Sequence, residues 1–163
     1  GGVPLVAARV LAHELRDLGW HLQLWIDIKD LPDTIPTLKS IGLPVVIDHM
    51  GRTDARAGIN TPGFQSLLRL LGEGGCWVKL SGAHRLSTSA PDYADAQPFH
   101  EALVRANPEQ LVWGTDWPHP RIEGAMPDAG HLLDLFNEWT PDETTRRRIL
   151  VDNPLKTYPR LVP

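Results

Sequence analysis

Four short apolar runs begin near residues 20, 44, 76 and 111, and a helix-forming stretch separates each from the next. This recurrence constrains the fold more than any other feature of the chain. Parallel strands must be joined by crossovers, so a strand–helix–strand rhythm predicts a parallel sheet and an α/β fold class. The strands are expected over 20–26, 44–48, 76–81 and 111–115. In the first, Trp20-His-Leu-Gln-Leu-Trp-Ile26 alternates, placing His21, Gln23 and Trp25 on one face and Leu22, Leu24 and Ile26 on the other. An open doubly wound sheet is apolar on both faces. One polar face therefore favours a closed barrel whose lumen approaches a polar mouth.

The intervening segments carry helix signals. Leu11, Leu15 and Leu18 recur at helical spacing within Leu5 to Leu18, with Gly19 as a stop, and a short helix is expected around Thr34 to Ile41. Thr61-Pro62 caps and opens a helix running to Gly74-Gly75. Pro98 opens another that ends at Asn107-Pro108. Ala129 to Trp139 is helical, and the last helix is entered through Thr140-Pro-Asp-Glu143, which has capping-box spacing.

Composition bounds the function. With 163 residues, 42% apolar and 22% charged, the chain can build one core. A net charge of -4 without blocks of like charge gives no footprint for nucleic acid, and no apolar run is long enough to cross a membrane. The single cysteine, Cys76, cannot pair internally and reads as a small buried hydrophobe; a reducing, cytoplasmic compartment is the expectation. The chain starts Gly1-Gly2 with a helix and no strand before it, which reads as a cut.

Polar residues gather where strands end: Asp27; Asp48-His49-Met-Gly-Arg52; Ser81-Gly-Ala-His84-Arg85; and Gly114-Thr-Asp116-Trp-Pro-His119. In parallel α/β architectures that C-terminal edge holds the ligand site, so these groups are expected to converge. Period-two counting puts His49 with Val45 and Ile47, and Asp116 with Val112 and Gly114, on inward faces. Read alone, Asp116 could equally be a turn-capping aspartate, and Arg52 and Arg85 surface ion-pair partners. His13, His100 and His131 lie in helical segments and are expected to be solvated. His21 could face the lumen, and His84 is left open. Arg146 to Arg148 reads as a solvated helix face.

Val46-Ile-Asp-His-Met-Gly-Arg52, Lys79-Leu-Ser-Gly82, Val112-Trp-Gly-Thr-Asp-Trp-Pro-His-Pro120 and Asp152-Asn-Pro154 together resemble the amidohydrolase superfamily (amidohydrolase family 2). The branch is that of 2-pyrone-4,6-dicarboxylate lactonase and related lactone hydrolases. The resemblance implies a (β/α)₈ TIM barrel, which takes about 250 residues, so that residues 1–163 are the C-terminal part of one barrel domain. The family's His-x-His of the first strand is missing here. The resemblance also implies roles: Asp116 as the base that takes a proton from water, His49 as the group that polarises the carbonyl, and both as ligands in members that bind a divalent metal such as zinc. Cofactor use is left undecided between none and one such ion. Arg52 and Arg85 match positions that hold substrate carboxylates, with Trp25, His119 and Arg121 completing the mouth. Trp25 stands where the dicarboxylate lactonase has tyrosine, and Arg121 where it has asparagine.

The resulting expectation is a hydrolase of a small, anionic lactone, with a small-molecule substrate, no nucleic acid or membrane partner, and a homo-oligomer allowed. Two alternatives stand beside it: a metal-dependent amidohydrolase or decarboxylase of the same superfamily, and an inactive partial domain or noncatalytic scaffold.

Overall fold

The computed structural model describes residues 4–122 and 125–158. It contains four parallel strands in the order β1 (Leu22–Leu24), β2 (Val45–Ile47), β3 (Trp77–Leu80) and β4 (Leu111–Trp113). Each strand pairs with the next: Gln23 lies opposite Val46, Ile47 opposite Val78, and Lys79 opposite Val112. All four expected strands are present, each shorter than its expected span. The helices before β1 are α1 (Leu5–Val10) and α2 (Ala12–Asp17). The crossovers hold α3 (Leu31–Ile41), α4 (Pro62–Gly72), and, between β3 and β4, α5 (Ala83–Leu86) and α6 (Gln97–Ala106). After β4 come α7 (Ala129–Trp139), α8 (Glu143–Arg147) and α9 (Asn153–Thr157). No helix among the described residues is long and apolar enough to cross a membrane.

The register gives the sheet two unlike faces. Val45, Ile47, Val78, Leu80 and Leu111 pack with Leu31, Leu38, Phe64, Leu67, Phe99 and Leu103 from the helices into one core. Phe64 of α4 meets Phe99 of α6 edge to face at 4.9 Å. The opposite face carries Gln23, Asp48 and Lys79. Lys79 Nζ lies 2.8 Å from Asp48 Oδ1, and Gln23 Nε2 donates to both Asp48 oxygens at 3.0 and 2.9 Å. The polar face read from β1 thus extends across the sheet. His21 contributes to its edge, its ring 5.1 Å from that of Tyr158.

Several local expectations change. The segment Leu5 to Leu18 is not one helix: the turn at Leu11 divides it, and neither half buries a residue, so no packing enforces continuity. Thr140 does not cap α8, the helix that the sequence expectation enters through it. Asp142 does, accepting from the Thr145 N–H, while the Thr140 hydroxyl meets His100 Nε2 at 2.7 Å. His100 is therefore not solvated; it is 2% exposed, between Phe136 and Trp139. His13 and His131 are at the surface, paired with Asp17 and Asp92. Of the arginine run, Arg148 pairs with Glu109 and Arg147 with Asp152. Cys76 is buried, and desolvation pushes its thiol up to about 12, consistent with a packing role.

Candidate active site

His49 comes from the turn that ends β2. Period-two counting from Val45 and Ile47 would aim it at the helices, because those two valine and isoleucine side chains belong to the core. The backbone overrides the count: it leaves the strand after Ile47 and enters the left-handed region at His49 (φ 51°), Met50 (φ 49°) and Arg52 (φ 52°). Asp116 (φ 68°), His119 (φ 55°) and Arg121 (φ 63°) do the same after β4. Positive φ is uncommon for residues with a Cβ, and such conformations gather at functional sites where the surroundings hold them in place. The short polar side chains of β2 and β4 are thereby turned out of the strand alternation and toward each other.

His49 Nε2 lies 3.6 Å from Asp116 Oδ1. The other ring nitrogen, Nδ1, is 2.9 Å from Ser81 Oγ at the end of β3, which fixes the ring. Gly82 is part of the same support. It has φ +72°, and a Cβ there would come within 3.0 Å of His49 Nδ1 and 3.1 Å of His49 Cβ. Burial is the dominant influence on His49 and holds it below the ordinary imidazole value, although the Asp116 and Asp48 carboxylates pull the other way. The ring is neutral at pH 7.

The second oxygen of Asp116 is engaged. Arg85 Nε donates to Oδ2 at 2.5 Å, and His84 Nε2 lies 3.1 Å from the same atom. Arg85 Nη2 donates to the Pro120 carbonyl at 3.1 Å, so two of its three nitrogens bind protein groups. Both residues come from α5, the single helical turn that follows Gly82. The sequence leaves His84 open; its one signal is adjacency to Arg85 at a strand end. Its side chain is 2% exposed, and burial drives its pKa down to about 4, against the pull of Asp116. Its ring meets that of His119 edge to face at 4.9 Å.

Arg52 takes a different position. Its guanidinium lies 3.8 Å over the Trp25 ring, a cation–π contact that leaves the edge of the fork open. Trp25 itself is 58% exposed. Arg121 is exposed on the turn after Pro120. The structure therefore brings together Asp116, His49, Arg85, His84, His119 and Ser81, with Arg52 and Trp25 forming a separate pair.

With this geometry in view, the amidohydrolase family profile matches residues 2–160. The chain belongs to the amidohydrolase family. It is 34% identical over 157 residues to the 2-pyrone-4,6-dicarbaxylate hydrolase of Comamonas testosteroni, covering 91% of this chain and 52% of that protein. It is 37% identical over 144 residues to the 4-sulfomuconolactone hydrolase of Hydrogenophaga intermedia, covering 87% and 48%. A crystal structure from Pseudomonas putida, of a candidate 2-pyrone-4,6-dicarboxylic acid hydrolase, superposes with TM-score 0.81 at 36% identity, covering 93% of this chain and 56% of that one. The amidohydrolase's four parallel strands and their helices are thus part of a TIM barrel, and the chain spans about half the length of the curated relatives it matches.

Proposed function

We propose that this amidohydrolase hydrolyses a small anionic lactone. The observation that carries the reading is the meeting of Asp116 Oδ1 and His49 Nε2 at 3.6 Å at the C-terminal edge of the sheet. With Oδ2 occupied by Arg85 and His84, Oδ1 is the oxygen left to act as base. Asp116 Oδ1 takes a proton from water as the water oxygen bonds to the lactone carbonyl carbon. Neutral His49, with Ser81 Oγ–H donating to Nδ1, presents Nε2–H to the carbonyl oxygen where negative charge develops. The ring C–O bond then breaks, and its oxygen takes the proton that Asp116 Oδ1 removed from water, which gives the ring-opened acid and restores the Asp116 carboxylate. Arg52, stacked on Trp25, holds the substrate's anionic group and orients the ring. The names of the relatives, a dicarboxylate lactone hydrolase and a sulfonated lactone hydrolase, support the anionic substrate class.

On this reading the 163 residues supply the later strands of one barrel domain, and a His-x-His strand is contributed from outside them. A catalytic zinc takes three protein ligands. The His49–Asp116 pair provides two, so by itself it does not fit one, and the side chains carry the steps above.

The test is turnover of 2-pyrone-4,6-dicarboxylate and 4-sulfomuconolactone by the complete encoded polypeptide. Asp116→Asn is expected to lower kcat by at least about 10²-fold, the low end of general-base contributions. Unchanged turnover in that variant would overturn the assignment.

A further inference from the structure

The carboxylates that follow β1, β2 and β4 are each matched by a cation. Asp27 pairs with Lys29 at 3.1 Å, Asp48 with Lys79 at 2.8 Å, and Asp116 with Arg85. Arg52 makes no ion pair among the described residues and stacks on Trp25, which leaves its charge to a ligand. The hydrolysis proposed above uses neither Asp27–Lys29 nor Asp48–Lys79. The first has side chains 40% and 74% exposed and is screened by solvent. The second is largely buried, at 12% for Asp48 and 21% for Lys79.

Gln23 Nε2 already donates to both Asp48 oxygens, so this carboxylate keeps hydrogen bonds without the lysine. What Gln23 cannot supply is charge. A carboxylate taken partly out of water acts on other charges over several ångströms, because the effective dielectric there is far below that of water. Asp48 directly precedes His49, and the charges of Asp48 and Lys79 both act on the His49 ring, with opposite signs. The lysine stem also runs beside the end of β4. Its Cε would stand 3.9 Å from a Cβ at Gly114, on the turn that carries Asp116.

We infer that Lys79 is a specificity-determining residue: by neutralising Asp48 beside His49, it admits an anionic ligand to strand ends from which an uncompensated carboxylate would repel it. Lys79 acts through Asp48 and is a positioning residue. The inference deepens the lactone reading and rests on it for the place where the anion binds. Losing the Lys79 charge weakens anions and leaves neutral ligands of the same shape alone. Losing the Asp48 charge has the opposite effect on anions.

The experiment measures equilibrium binding of two probes to the complete encoded polypeptide by calorimetry: isophthalate, a planar dianion with no lactone to open, and isophthalamide, its neutral counterpart. The wild type is expected to favour isophthalate. Lys79→Met should weaken isophthalate by roughly 10-fold, the effect of a unit charge about 10 Å away at an effective dielectric of about 20, and leave isophthalamide unchanged. Lys79→Arg should restore wild-type binding. Asp48→Asn should tighten isophthalate, and in the Lys79→Met background it should recover the lost affinity, which repair of a packing defect would not do. If Lys79→Met fails to fold by circular dichroism, Asp48→Asn decides: tighter isophthalate supports the inference, and unchanged or weaker isophthalate overturns it. Equal losses for both probes in Lys79→Met, no loss for either, or a wild type without preference for isophthalate also overturn it. Lactone turnover is a separate readout. A wild type that shows the isophthalate pattern but opens no lactone refutes the hydrolase reading alone.

Discussion

At the scale of single residues, the site depends on atoms whose neighbours leave little freedom. Gly82 is the sharpest case, because a methyl group there meets His49 from 3.0 Å and the backbone sits at φ +72°. Gly82→Ala is expected to lower lactone turnover by displacing His49 and to cost about 1–3 kcal/mol from the strained backbone. Parallel measurement of kcat and urea stability checks both effects. His100 offers a pH test away from the site. Desolvation takes its folded pKa to about 4 from an ordinary 6.5. Between those values the unfolded chain binds the extra proton, so stability is complete above about pH 6.5 and falls as the pH drops toward 4. At ~1.4 kcal/mol per pKa unit, the loss is roughly 3 kcal/mol by pH 4. His100→Gln, which can still meet Thr140, should flatten the fall of Tm across that window. A slope equal to that of wild type would count against the assignment.

At the scale of elements, the order of strands and most helices was legible, because hydrophobic period and Gly/Pro punctuation are local signals. The aim of the functional side chains was only partly so. Counting in twos from Val45 cannot see that the chain turns left-handed at His49, and helical periodicity cannot show that His100 faces Trp139 rather than water. His84 gave almost no signal because its role is created by contacts with residues 32 and 35 positions away, Asp116 and His119. Asp152-Asn-Pro154, quoted only as a motif, acquires a physical function. Asn153 is fully buried, and its Nδ2 donates to the Pro108 carbonyl at 2.9 Å and the Leu111 carbonyl at 2.7 Å, tying α9 to the start of β4. Asn153→Leu should destabilise the protein by about 2–4 kcal/mol, since one buried and one part-buried carbonyl lose their donor, and thermal unfolding would measure it.

At the scale of the whole molecule, the sheet runs β1-β2-β3-β4 without closing among the described residues, so β1 and β4 each present a side with no strand partner. Unpaired backbone of this kind recruits other strands. Expressed as these 163 residues alone, the chain is expected to self-associate with rising concentration in light scattering, and Gln23→Lys on β1 should reduce the effect. A monodisperse monomer at all concentrations would contradict it. The same architecture explains why the candidate site draws on β2, β3 and β4 at once: the strand ends of β3 and β4 deliver Ser81 and Asp116 to the two ring nitrogens of His49, which follows β2.

The left-handed backbone at His49, Arg52, Asp116 and His119 also bears on protein engineering. Glycine and asparagine tolerate that conformation better than histidine, arginine or, at Asp116, a carboxylate bound to its partners. A selection for heat resistance alone should therefore enrich glycine or asparagine at these four positions, and the hardiest survivors should be the poorest hydrolases.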